Sequence, residues 1–250
     1  MKSYGLIGFP LSHSFSEKYF AEKFMREGIV NCSYINYPMA DIGAIRHWIR
    51  TQPELEGINV TIPYKEKIVD FLDALDPEAA GIGAVNTIKV MRDQGKITLK
   101  GFNTDAYGFR TSLIPLLKPF HKGALVLGTG GASRAVVYVL NNLGIETTCV
   151  SRRGPGEKRL SYDQLTEQIM TRSTIIVNTS PVGMYPHVSD FPAIPYEFIT
   201  PEHLLYDLIY NPSETRFLSI GESKGAAIKN GLQMLHLQAE RSWEIWNTEP

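Results

Sequence analysis

Cysteine is scarce in this chain: Cys32 and Cys149 are the only two among 250 residues, and neither sits in a CxxC or metal-ligand spacing. That excludes a disulfide framework and a thiolate metal site, and two free thiols suit a reducing compartment, with the cytoplasm as the expected location. An excess of charge of either sign is also missing. Lys and Arg number 25 against 26 Asp and Glu, for a net charge of −1, so no dedicated nucleic-acid or anionic-membrane binding is expected. No apolar run approaches the roughly 20 residues that span a bilayer. The opening stretch MKSYGLIGFPLSHSFSEKY is too short in apolar residues for a signal peptide. The six histidines, among them His13, His187 and His236, are scattered; each reads as a packing or surface residue, and no metal is expected. There are no repeats and no low-complexity linkers. What is present, 43% hydrophobic and 20% charged residues, is the composition of an ordinary globular protein, long enough for one large domain or two modest ones.

The most informative stretch is residues 122–153, KGALVLGTGGASRAVVYVLNNLGIETTCVSRR. Residues 124–127 form an apolar run of the kind that makes a strand buried on both faces. A turn follows over Gly128, Thr129, Gly130, Gly131 and Ala132. Residues 133–143 then read as a helix stopped by Gly144, and 146–150 as a second strand. Strand, glycine turn, helix and strand in about thirty residues is the βαβ dinucleotide fingerprint. Gly128 and Gly130 let the backbone turn tightly and approach a pyrophosphate, which the N–H groups of the helix N-terminus attract. The third glycine of the usual GxGxxG is absent, and the small Ala132, Ser133 and Ala135 stand in for it in helix packing. An NAD site keeps an acid about twenty residues further on to hold the ribose 2′-hydroxyl. Here that place is Ser151-Arg152-Arg153. Two guanidiniums can clamp a 2′-phosphate by charge-assisted hydrogen bonds, so NADP is the expected cofactor; a solvated surface role for Arg153 is the alternative.

Around this module the chain alternates strands and helices. Residues 4–9 read as a strand, 17–27 as a helix with Ser16 at its N-cap, 32–37 as a strand, and 41–50 as a helix capped by Asp41. A strand at 57–61, a helix at 64–72, and paired strands at 84–91 and 96–101 with a turn at 92–95 complete the first part. Alternation of this kind implies a parallel α/β sheet. A helix at 104–117 leads into the nucleotide module, which continues with a helix at 161–170 and a strand at 174–178. Then come a proline-rich loop at 181–195, long enough to be functional, a strand at 204–207, a helix at 213–220 and a short strand at 226–228. Residues 231–246 form the last helix, with Leu232, Leu235, Ala239, Trp243 and Trp246 roughly on one face. The expected fold class is therefore α/β with two α/β domains and a cleft between them. Residues 1–104 plus 231–250 would form one domain and residues 105–230 the Rossmann domain, the last helix returning to the first domain because termini often lie close together.

Open α/β sheets bind ligands where their strands end. There the first domain supplies Ser12, His13, Ser14 and Ser16, then Asn59, Thr61 and Lys65, then Asn86 and Thr87, then Asn103, Thr104 and Asp105. Hydroxyls, amides, one lysine and one carboxylate suit a small polyhydroxylated acid. Each could instead serve as a turn or cap residue, and N-capping of the following helix is the rival role for Asp105.

Taken in order, GFPLSHSFS, INVTIPYK, AVNT, FNTDAYG, GTGGASRA, NTSPVGM, YDLIYNP and GLQMLHLQAERSWEIW resemble the shikimate dehydrogenase family over essentially the whole chain. The resemblance implies reversible NADPH-dependent reduction of 3-dehydroshikimate to shikimate, in chorismate and aromatic amino-acid biosynthesis. It also implies a substrate domain made of the N-terminal part and the last helix. By that resemblance Lys65 and Asp105 are the catalytic pair and Ser14 and Ser16 bind the substrate carboxylate. Thr61, Asn86, Asp105 and Gln238 hold its hydroxyls, and Tyr210 lies nearby. Gly128 to Ala132, Ser151, Arg152 and Arg153 bind the cofactor. Thr179 and Ser180 flank the nicotinamide ribose, and Met184 and Gly225 lie near the ring. The family usually reads HSxSP at the serine loop, whereas this chain has Glu17 in place of the proline; the acid suits the helix dipole but brings negative charge towards an anionic substrate. An unperturbed ammonium, with a pKa of about 10.4, donates a proton readily and is a poor base at neutral pH. Lys65 would thus protonate the developing alkoxide while Asp105 orients it. The alternatives are a quinate/shikimate dehydrogenase using NAD or NADP, or a non-catalytic nucleotide-sensing homologue. A monomer and a homodimer are both compatible with the sequence.

Overall fold

The computed structural model describes residues 1–11, 14–152, 156 and 159–248. The chain divides into two compact units, residues 1–104 with 238–250, and residues 105–237. The first contains β1 (Lys2–Gly8), α1 (Phe15–Arg26), β2 (Cys32–Pro38), α2 (Ile45–Arg50), β3 (Leu55–Val60), β4 (Ala74–Leu75), α3 (Pro77–Ile82), β5 (Thr87–Asp93) and β6 (Lys96–Phe102). Its six strands run in the order β2-β1-β3-β5-β6-β4. The sheet is mixed where the alternation predicts a parallel one: β5 is antiparallel to both β3 and β6. The cause is local. Gln94 and Gly95 both take positive φ (47° and 82°), the backbone of a tight hairpin turn whose twist matches the strands it joins.

Three further details differ from the sequence reading. Helix α1 starts at Phe15, with Ser14 rather than Ser16 at the N-cap and no side-chain cap bond. Residues 64–72 are not an α-helix; they contain only a 3-10 turn at Lys67–Phe71. There Val85 N–H takes the Lys65 carbonyl (2.7 Å), and Val69 N–H turns to Glu66 O (3.3 Å) instead of the i−4 position. Helix α3 goes unread because six residues carry too little periodicity, although Asp76 caps it through Glu78 N–H (3.0 Å) and Pro77 opens it.

The second unit begins in α4 (Thr104–Leu113) and continues with β7 (Gly123–Leu127), α5 (Gly131–Asn142), β8 (Glu146–Val150), β9 (Arg159–Leu160), α6 (Glu167–Arg172), β10 (Ile175–Asn178), β11 (Leu204–Asp207), α7 (Arg216–Ser223) and β12 (Ala227–Lys229). Its strands lie in the order β12-β11-β10-β7-β8-β9, and every adjacent pair is parallel. Counted from β7, that is the 3-2-1-4-5-6 order of a doubly wound sheet. All residues of β7, β10 and β11 are buried, which is why these strands read as apolar runs in the sequence up to the polar last residues Asn178 and Asp207. The expected helix at 161–170 is broken into a 3-10 turn at Tyr162–Gln164 and α6, because Ser161 and Gln164 close a capping box on one turn and Thr166 caps the next.

The last helix, α8 (Leu232–Asn247), belongs to the first unit from Gln238 onward, seven residues later than the boundary at 231 expected from sequence. Trp246 explains its seating. The indole stacks on Tyr4 (5.0 Å between centroids) and donates to Ile88 O (3.0 Å). It lies over Gly57, where a Cβ would stand 2.3 Å from the ring. Tyr4, Phe20, Phe24, Tyr34, Ala239 and Trp246 form one core on this face of the sheet; Ile7, Ile45, Ile58, Ile68, Val85 and Ile88 belong to another. At the rim, buried Lys23 of α1 bonds Glu240 of α8 at 2.7 Å.

Candidate active site

One edge of the first sheet gathers the polar side chains. The strands β1, β3 and β6 end there, and β5, running the other way, begins there. The loop after β1 carries Ser14 and the first turn of α1 carries Ser16, the turn after β3 carries Thr61 and Lys65, and Asn86 immediately precedes β5. Ser12 and His13 of the same loop lie outside the described residues. Gly8 and Thr61 approach so closely that a Cβ on Gly8 would meet Thr61 Cγ2 at 2.5 Å. The hydroxyl oxygen of Ser14 is buried and has no hydrogen-bond partner among the described residues, an arrangement that costs about 1–3 kcal/mol unless an acceptor arrives. Lys65 is half-buried. Glu17 is held by Asn36, whose Nδ2 donates to its carboxylate at 2.6 Å, so the acid that replaces the family's proline is tied to β2.

Asn86 and Gln238 come together although 152 residues apart: Asn86 Nδ2 points at Gln238 Oε1 at 3.4 Å. Both are buried, and around them lie Asn59, Thr87, Thr104 and Ser242, also buried. The Thr104 N–H donates to Asn86 Oδ1 at 2.6 Å. Asp105 is the second residue of α4 and is buried, so it lies inside the first turn and is not the helix N-cap.

In the second unit the carboxyl ends of the parallel strands place the glycine turn (after β7), Ser151 and Arg152 (after β8), Thr179, Ser180 and Met184 (after β10) and Tyr210 (after β11) along one edge. Gly128 has φ +118°, and a Cβ there would stand 2.7 Å from Thr179 Oγ1. A Cβ on Gly130 would meet nothing within 4 Å, so this glycine leaves a surface that a ligand can approach. Gly130 is also the N-cap of α5 and supplies no side-chain cap bond, which leaves the N-terminal amides to an anion. These observations fit a dinucleotide pyrophosphate. Ser151 is buried and Arg152 exposed; Arg152 bears electrostatically on the Tyr162 hydroxyl. Arg153 lies outside the described residues. A groove of about 600 Å³ runs along β8 from Thr129 to Arg159.

Gly225 requires correction. It precedes β12 and packs on Pro201, which precedes β11, so it sits at the amino ends of the strands, opposite the glycine turn. Gly231, which follows β12, is at the carboxyl ends. Its N–H bonds Ile209 O at 3.0 Å, and a Cβ there would be 2.0 Å from Leu208 O. Sequence reading also passed over the device that shapes this edge. Asp207 is buried and accepts from Asn178 Nδ2 (3.0 Å), Ile209 N–H (3.0 Å) and Thr215 Oγ1 (2.6 Å). Asn178 in turn accepts from Ser180 N–H (3.1 Å) and Oγ (2.7 Å) and donates to Val182 O (3.2 Å). One carboxyl therefore ties together the loops after β10 and β11 and the start of α7. Burial pushes its pKa up to about 6. The motifs NTSPVGM and YDLIYNP contain these residues except Thr215, but their mutual contact is invisible until β10 and β11 pair. Among the described residues no group of His, Cys, Asp or Glu is placed to hold a metal ion, and no helix is long and apolar enough to cross a membrane.

Residues 6–88 match the sequence profile of the shikimate dehydrogenase substrate binding domain. Shikimate dehydrogenase (NADP(+)) of Carboxydothermus hydrogenoformans is 38% identical over 257 residues, covering 97% of this chain and 90% of the relative. Among solved structures, shikimate dehydrogenase 1 of Peptoclostridium difficile superposes with a TM-score of 0.85 at 38% identity, covering 100% of this chain and 93% of that one. Shikimate 5-dehydrogenase of Thermus thermophilus, solved in complex with NADP(H) and shikimate, superposes with a TM-score of 0.83 at 32% identity, covering 99% and 94%.

Proposed function

Because the chain belongs to the shikimate dehydrogenase family, we propose that it reversibly reduces 3-dehydroshikimate to shikimate with NADPH, in chorismate and aromatic amino-acid biosynthesis. The observation that carries this reading is the polar edge of the first unit, where Ser14, Ser16, Thr61, Lys65, Asn86 and Gln238 are all supplied by a single compact unit. Residues 1–104 with the last helix form the substrate domain, and the doubly wound unit is the NADP domain.

Bound NADPH supplies the hydride. The chain's own residues bind, orient and handle one proton. Reduction of a ketone turns its oxygen into an alkoxide, and the Lys65 ammonium stabilises that charge and donates the proton. Asp105 orients the ammonium and the reacting hydroxyl. Ser14, whose hydroxyl has no partner among the described residues, and Ser16 take the substrate carboxylate. Thr61, Asn86 and Gln238 bind ring hydroxyls, with Tyr210 nearby. Gly128 to Ala132 receive the pyrophosphate at the start of α5. Ser151, Arg152 and Arg153 hold the 2′-phosphate, and Thr179, Ser180 and Met184 flank the nicotinamide ribose. Gly231 takes the role near the ring that the sequence reading gave to Gly225. Two free thiols support a cytoplasmic location.

The test is oxidation of shikimate and of quinate by the purified protein, with NADP and NAD in parallel, followed by the absorbance of reduced nicotinamide. The expected result is turnover of shikimate with NADP above every other combination. No turnover with any combination would leave a nucleotide-binding homologue without catalysis. Turnover of quinate equal to that of shikimate would make the enzyme a quinate/shikimate dehydrogenase.

A further inference from the structure

Strand alternation decides what the outer face of the β5–β6 hairpin carries. Ile88, Val90 and Leu99 are buried in the core on one face of the sheet, so Lys89, Met91, Lys100 and Phe102 stand on the other. The register sets Lys89 directly opposite Lys100, a position where like charges repel and weaken the strand pair. Helix α8 runs alongside this face. Its Ser242 and Trp246 are buried, while Arg241 and Ile245, one turn apart, line the outer side. Between hairpin and helix lies a groove of about 360 Å³, within the size range of small-molecule sites. Every residue lining it belongs to the first unit, and none is among the polar groups of the candidate active site.

The groove combines cations with an apolar floor. Lys89, Lys100 and Arg241 line it together with Met91, Phe102 and Ile245, and no acid does. The nearby acids do not cancel this charge. Glu244 bonds Arg241 at 2.8 Å, and Glu56 attracts Lys89, but Lys100 and Lys2 repel it. Burial is the main cause of a Lys89 pKa below the ordinary lysine value, with Glu56 opposing the shift and the two lysines adding to it. The Lys89 ammonium donates to the Thr248 carbonyl, which engages one of its three N–H groups. Lys100 Nζ lies 5.3 Å from the centroid of the Phe102 ring, and among the described residues it has neither a carboxylate nor a hydrogen-bond partner. An anion seated between the two ammonium groups turns their repulsion into attraction. The floor beside them suits a flat ring, which stacks on Phe102 and meets the thioether of Met91.

We propose that this groove is a second ligand site, which binds an aromatic carboxylate: Lys89 and Lys100 take the carboxylate, and Met91, Phe102 and Ile245 take the ring. The inference stands apart from the shikimate reading, because it uses no residue of that site.

The experiment is calorimetric titration of the full chain with benzoate, with acetate (the charge without the ring) and with benzamide (the ring without the charge). Benzoate should bind one to one, about tenfold or more tightly than either control, and more weakly as salt is raised. Lys100→Gln should weaken benzoate by about tenfold or more, the effect of one lost charge-assisted hydrogen bond. Lys100→Arg should retain it. Lys100→Gln should also melt no lower than wild type, because it removes a like-charge neighbour from Lys89; a purely structural lysine would lose stability instead. Lys65→Met, altered only at the polar edge, should bind benzoate as the wild type does. The inference is overturned by a wild type that shows no saturable binding, by acetate or benzamide binding as tightly as benzoate, or by benzoate affinity unchanged in Lys100→Gln. Loss of benzoate in Lys65→Met would place the carboxylate at the polar edge and overturn it equally.

Discussion

Gly57→Ala is expected to destabilise the first unit by about 3 kcal/mol, although it adds a single methyl in the middle of a strand. The added Cβ would stand 2.3 Å from Cδ1 and Nε1 of Trp246 and 2.5 Å from Cε2, well inside van der Waals contact. The indole cannot simply retreat. It is stacked on Tyr4 at 5.0 Å, packed beside Phe20 at 5.7 Å, and bonded to Ile88 O at 3.0 Å. Overpacking of this kind costs about 1–3 kcal/mol. Loss of the buried indole bond, which leaves the Trp246 N–H without its acceptor, costs about another 1–3 kcal/mol. Against these, replacing glycine by alanine recovers about 0.4–1 kcal/mol through the unfolded chain. For a unit of this size the balance corresponds to a Tm lower by about 10 °C or more. Tryptophan emission is the suitable probe, because all three tryptophans (Trp48, Trp243 and Trp246) belong to the first unit. The same helix carries Gln238, so the KM for shikimate should rise with the loss of stability. A variant that melts within about 1 °C of wild type would show that the seat of Trp246 on Gly57 does not hold the last helix.

Other perturbations address the chemistry and the second unit. Lys65→Met should lower kcat by about 10²–10⁴-fold, the usual worth of a positioned general acid, with an unchanged circular dichroism spectrum; turnover near wild type would remove Lys65 from the mechanism. Arg152→Ala should weaken NADP by about tenfold or more through loss of a charge-assisted bond and leave NAD unaffected, as measured by cofactor KM values; equal weakening of both would refute the 2′-phosphate role. Asp207 sets a pH dependence. Its folded pKa of about 6 lies above the ordinary value of about 3.9, so between these limits the folded state keeps a proton that the unfolded chain has lost. The contribution of this group to stability is therefore fully present below about pH 4. It declines by up to about 3 kcal/mol as pH rises through about 6, and is flat above. Urea midpoints of wild type and Asp207→Asn measured across that range should differ in their slope against pH; equal slopes would show that another group is responsible.

Much of the second unit was legible because its signals are local. A parallel strand covered on both faces is an unbroken apolar run, and residues 123–127, 175–177 and 204–206 are such runs. The glycine turn must be glycine at 128 because its φ is +118° and Thr179 lies against it. Arginine in place of an acid after β8 is likewise a feature of adjacent residues, and the ordered motifs of the first unit carried the family resemblance. The misreadings share a different origin. Whether residues 64–72 close into an α-helix depended on Val85, a residue from another part of the chain, taking the Lys65 carbonyl. Whether Gly225 or Gly231 faces the glycine turn depended on which end of β12 each occupies and which way that strand runs.

The sequence by itself determined the class of fold, the family and the residue types available for chemistry, since these follow from periodicity, turn chemistry and contiguous motifs. It could not show that Asn59, Thr87 and Ser242 are buried together beside Asn86 and Gln238, or that Asp207 accepts from Asn178 and Thr215. Each looks like an isolated polar residue along the chain. Only tertiary structure brings Ser242 to Thr87 across 155 positions, and only burial makes the direction of each proton costly to reverse.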